Sequence, residues 1–159
     1  MKRFMTTGLT ICGLAAIAAL SDAFVSSRPA GAHCQVPCGI YDDPARIAHL
    51  REDATTIAKA ITNINELSGR HEANAFNQAA RWVVTKEAHA SDIITVVAEY
   101  FLTQKLKPVA AGGEGYDVYL KKLANHHGVM VAAMKTKQSA DPASVANLNK
   151  AIDKLAGHY

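Results

Sequence analysis

The stretch DPARIAHLREDATTIAKAITNI, residues 43–64, decides the fold. Its apolar positions Ile47, Leu50, Ala54, Ile57, Ile61 and Ile64 recur at alternating spacings of three and four. That spacing lines them along one face of an α-helix and scatters them over both faces of a strand. Asp43 and Pro44 suit its start, because aspartate caps orphan N–H groups and proline tolerates the first helical position. Ser68-Gly69 ends it. Downstream, a second helix is predicted over about residues 73–105, with Phe76, Ala80, Val83, Ala90, Ile94, Val97 and Phe101 as its stripe. Pro108 and Ala111-Gly112-Gly113 break the chain, and a third helix over about 116–137 carries Tyr116, Leu120, Leu123, Met130 and Met134. Ser139-Ala140-Asp141-Pro142 repeats the cap-plus-proline start, and Val145, Leu148, Ile152 and Leu155 mark a fourth helix.

No alternating run bounded by turn residues occurs, so no strand is predicted. Four amphipathic helices joined by short connections predict an all-α fold, an antiparallel four-helix bundle. On these stripes His127 falls among the core positions and His126 on the surface. Adjacent helical residues point apart, so the pair does not read as a metal site. Glu87 falls on the inner seam of the second helix and needs a cationic partner there. Met130 and Met134 read as core filling.

Upstream lies a different kind of sequence. Met1-Lys2-Arg3 is basic, an apolar stretch runs from about Phe4 to Leu20, and Ala30-Gly31-Ala32 has the small-x-small form that processing peptidases accept. The apolar stretch is short for a membrane span, which takes roughly 20 residues. Residues 1–32 therefore read as a leader that is removed, and 33–159 as one domain. A plain secretory leader implies an extracytoplasmic location. A second cut after Ala23 would instead make a two-part leader of the kind that addresses a plastid or other organelle. Loss of Lys2, Arg3, Arg28 and Asp22 lowers the formal charge from +3 to +1. A nearly neutral chain implies no nucleic-acid partner, and nothing after the leader is apolar enough to hold a membrane.

Between leader and bundle stands His33-Cys34-Gln35-Val36-Pro37-Cys38-Gly39-Ile40-Tyr41-Asp42. Cutting after Ala32 makes His33 the amino terminus. Its free amine and the Cys34 amide nitrogen form a five-membered chelate, which the Cys34 thiolate extends and Cys38 closes. Two nitrogens and two thiolates in a plane suit nickel(II) or copper(II) and offer zinc nothing. The His33 imidazole can reach an axial position, and the anionic donors favour a higher oxidation state, so the hook is suited to one-electron cycling. A disulfide across so short a loop would constrain the unfolded chain little. A dithiol oxidoreductase would place its reactive cysteine at a helix amino terminus, and Cys34 is not so placed.

His33, Cys34, Pro37, Cys38, Gly39, Tyr41 and Asp42 resemble the nickel-hook motif of nickel superoxide dismutases, and a Tyr100-Phe101 pair late in the second helix agrees. The resemblance implies a homohexamer with one nickel ion per subunit, matured by a processing peptidase, that disproportionates superoxide to dioxygen and hydrogen peroxide between Ni(II) and Ni(III). It implies that His33, Cys34 and Cys38 are the ligands, that Tyr41 and Tyr100 flank the substrate approach, and that Pro37 shapes the return to Cys38. Many members support the axial imidazole with a glutamate on the first helix and an arginine on the second. Here Ala48 and His89 stand at those positions. His89, or nearby His49, is expected to supply a substitute hydrogen bond. Arg46, Arg51, Arg81 and Lys86 are candidates for steering the anionic substrate. The alternative function is a non-enzymatic carrier or sensor that binds nickel or copper through the same amino terminus.

Overall fold

A computed structural model describes residues 43–159 of the chain. The hook and leader lie outside the described residues. Four α-helices follow one another: α1 (Asp43–Leu67), α2 (Ala73–Thr95), α3 (Tyr116–Gln138) and α4 (Pro142–Ala156). A π-helical segment, Val96–Lys105, continues α2 without a break. There is no strand among the described residues, and none of their helices is long and apolar enough to cross a membrane. Long-range bonds set the directions. Tyr100, beyond the end of α2, bonds Asp43 at the start of α1; Arg51 near the start of α1 bonds Asp153 near the end of α4; Asn65 late in α1 bonds the Ala140 carbonyl just before α4. Each helix packs on the next and α4 returns to α1, which is the predicted antiparallel bundle.

The predicted stripes of α1 and α4 are the buried ones. Leu50, Ile57, Ile61, Leu148, Ile152 and Leu155 are all but inaccessible, each contributing about 1.5–3 kcal/mol by leaving water. Asp141 caps α4 by accepting from the Ala143 N–H at 2.9 Å, with Pro142 behind it. Gly115, at φ +79°, turns the chain into α3 through a left-handed conformation that a side chain would strain.

The expected faces of α2 and α3 need correction. Up to Lys86 the buried positions of α2 are Ala75 and Lys86, while Phe76 (62 % exposed), Val83 and Val84 (68 %) face outward. In α3 the buried line is His126, Val129, Ala133 and Thr136, and Leu120 and Met134 are exposed. The buried line is offset by one residue from the expected stripe in the first part of α2 and in α3, while Ala90, Val97 and Phe101 are buried as expected. His126 is therefore buried and His127 exposed, the reverse of expectation. The cause is polar satisfaction across the bundle. Lys86 Nζ donates to the carbonyls of Thr136, Lys137 and Ser139 at 2.8, 2.7 and 3.1 Å. His126 Nδ1 donates to the Lys122 carbonyl at 2.6 Å, leaving Nε2 to accept from the Tyr159 hydroxyl at 2.8 Å. Small alanines beside these groups let the helices approach. Glu87 does find a cation, Lys137, at 3.5 Å.

Candidate metal centre

Asp43 directly follows the hook in sequence, and the bundle holds it firmly. The Tyr100 hydroxyl donates to Asp43 Oδ1 at 2.8 Å, and Lys105 Nζ reaches the same oxygen at 3.0 Å. Tyr100 comes from the π-helical segment, whose wider i→i+5 turn appears in the Leu106 N–H bond to the Phe101 carbonyl. The wider turn puts Val96, Val97, Tyr100 and Phe101 on the buried side together. Phe101 packs edge-on to Tyr100 at 5.1 Å and against Tyr159 at 4.7 Å, so the Tyr100 ring has a rigid backing. Two cations lie over that ring, the Arg46 guanidinium at 5.0 Å and Lys105 Nζ at 5.8 Å. Tyr100 is thus both a packed core residue and the anchor of the bundle's junction with the hook.

His33, Cys34, Pro37, Cys38 and Tyr41 lie outside the described residues. With His33 as the terminal residue, its amine and imidazole, the Cys34 amide nitrogen and the Cys34 and Cys38 thiolates would be donors that suit nickel. Ala48, at the position of the family's supporting glutamate, is exposed on α1 and brings no polar group.

His49 and His89 are brought together by two aspartates that motif reading passed over. His89 Nδ1 meets Asp53 Oδ1 at 2.6 Å. His49 Nε2 lies 2.9 Å from Asp92 Oδ2 and 3.6 Å from Asp53 Oδ2. Asp53 is 5 % exposed in its side chain, and its Oδ2 has no hydrogen-bond partner. Burial pushes the Asp53 carboxyl up, against the opposing pull of the His89 bond and the His49 charge. The signal was present as His-x3-Asp on α1 and His-x2-Asp on α2, each one helical turn. That the two turns face each other was not.

The expected steering cations divide. Lys86 is buried and spent on the carboxyl end of α3, so it is not among them. Arg51 is held by Asp153 at 3.0 Å. Arg46 stays at the hook end over Tyr100, and Lys105, which had not been singled out, joins it there.

Among sequence families, the one described as nickel-containing superoxide dismutase matches residues 28–159, which takes in the hook and all four helices. No curated protein and no solved structure matches the chain.

Proposed function

The chain belongs to the nickel-containing superoxide dismutase family, and on that premise we propose that His33, Cys34 and Cys38 hold its nickel while Tyr41 and Tyr100 shape the approach of substrate. The protein is a superoxide dismutase, an oxidoreductase with a nickel cofactor. Two superoxide anions and two protons become one dioxygen and one hydrogen peroxide. Nickel, when bound, would supply a one-electron Ni(II)/Ni(III) couple for this exchange. The His33 amine and imidazole, the Cys34 amide nitrogen and thiolate, and the Cys38 thiolate are the donors. The observation that carries this reading is the decapeptide 33–42, which lies wholly within the matched stretch.

The bundle's part is positional. Tyr100 and Lys105 tether Asp43, so the segment carrying the donors leaves from a fixed point. Arg46 and Lys105 hold positive charge at that end, where an anionic substrate benefits from attraction. With Nδ1 given to Asp53, His89 keeps Nε2 for support of the His33 ring in place of the family's glutamate and arginine. His49, whose Nε2 faces Asp92, is less suited to that task.

Residues 1–32 serve as a leader whose removal by a peptidase frees the His33 amine, and they direct the protein out of the cytoplasm or into a plastid or other organelle. A homohexamer is supported by the outward apolar ridge of Phe76, Val83 and Val84 on α2, which a partner subunit would cover. The test is made on protein whose chain starts at His33. Loaded with nickel, it consumes superoxide; the same chain extended by one residue ahead of His33 does not. Equal activity of the extended form would refute the amine as a donor.

A further inference from the structure

We propose that His49, Asp53 and Asp92 form a second metal site, a clamp between α1 and α2 for a divalent transition ion of the zinc class, made of other residues than the hook donors. One ligand atom from each of the three lies within 4.8 Å of the others. An ion about 2.1 Å from a histidine nitrogen and two carboxylate oxygens in tetrahedral array separates its donors by about 3.4 Å. The His49 Nε2 distances of 2.9 Å to Asp92 Oδ2 and 3.6 Å to Asp53 Oδ2 bracket that value.

The hydrogen-bond count argues for a cation. His49 Nε2 carries at most one proton and faces two carboxylate oxygens. The nearer, on Asp92, takes it, and Asp53 Oδ2, buried and aimed at the same point, keeps no hydrogen-bond partner. A divalent ion at that point would satisfy all three atoms and balance two carboxylates with two positive charges. His89 completes the arrangement from behind. Its Nδ1–H donates to Asp53 Oδ1 at 2.6 Å, leaving Oδ2 for the ion, which is how a metal-binding carboxylate is usually oriented. One nitrogen and two oxygens suit zinc and leave a position for water. They lack the thiolates that select nickel in the hook. Half-exposed His49 and Asp92 give the ion a path from solvent.

The experiment uses the full chain carrying Cys34→Ser and Cys38→Ser, which disables the hook, dialysed against about 10 µM free Zn²⁺, with bound metal counted by elemental analysis. We expect one zinc ion per chain, lost in Asp53→Asn and at least tenfold weaker in His49→Gln and in Asp92→Asn. Zinc should also raise the thermal midpoint of the hook-disabled chain and not that of Asp92→Asn. Should Asp53→Asn fail to fold, the two surface variants carry the comparison. No bound zinc, or equal zinc in the hook-disabled chain and both surface variants, would overturn the proposal. The nickel assignment of the hook is untouched by either result, because these chains lack its thiolates.

Discussion

Lys86→Met tests whether the buried ammonium acts as a helix cap and not as a substrate guide. All three of its protons are used, on the carbonyls of Thr136, Lys137 and Ser139. Thr136 and Lys137 belong to the last turn of α3, whose carbonyls have no partner within the helix, and the ammonium also opposes the negative end of the helix dipole. A hydrogen bond to a charged group contributes about 1.5–3 kcal/mol where it is buried. Only the Thr136 bond is fully buried; the other two carbonyls are partly buried and can recruit water. Against the loss stands the cost of burying the ammonium, which lowers the Lys86 pKa and which methionine removes. The balance is a loss of about 3 kcal/mol, or roughly 12 °C in thermal midpoint at about 4 °C per kcal/mol. Helical circular dichroism during heating and in guanidinium chloride reads it. Superoxide turnover per bound nickel, and its dependence on ionic strength, should stay as in the parent. A stability loss under about 1 kcal/mol, or a flattened ionic-strength dependence, would refute the capping role.

Tyr159→Phe removes the donor to buried His126 Nε2 and should cost about 1–2 kcal/mol by chemical denaturation at neutral pH. Burial, with help from the Asp43 charge, pushes the Tyr159 hydroxyl up to about 12. The stability it contributes is therefore whole below pH 10 and declines as pH rises toward that value. A phenylalanine variant should lack this alkaline decline. Tyr100→Phe keeps the ring and loses the bond to Asp43; nickel content should hold while turnover falls by up to about tenfold, as pulse-radiolysis decay of superoxide would show. On the proposed assembly through the exposed ridge of α2, Val84→Glu places charge at the subunit contact and should shift light-scattering mass toward the monomer with helical content unchanged.

The hook was legible because its proposed donors are neighbours in sequence. A chelate made by an amine, the next amide and two nearby thiols needs no fold to bring it together. The α1 and α4 stripes were legible for a related reason: their largest apolar residues are also their buried ones. The reading failed by one position in the first part of α2 and on α3, where Phe76, Val83, Leu120 and Met134 drew the stripe outward, and held at Ala90, Val97 and Phe101. Lys86 and His126 occupy the interior there, and each does so only because its acceptor or donor arrives from a residue at least thirty positions away, the Thr136 carbonyl for one and the Tyr159 hydroxyl for the other. The Asp53–His89 and Asp92–His49 pairs were hidden for the same reason, each aspartate and its histidine standing on different helices.

The order of residues alone determined the family, the proposed metal donors and the number and extent of the helices, because chelation across a few bonds and helical periodicity are local matters. Only the folded chain decided which face of each helix turns inward, which cation is consumed as a cap, and which histidines meet carboxylates. Those outcomes depend on whether a buried polar group finds its partner across the bundle, and desolvation makes the unpartnered arrangement too costly to persist.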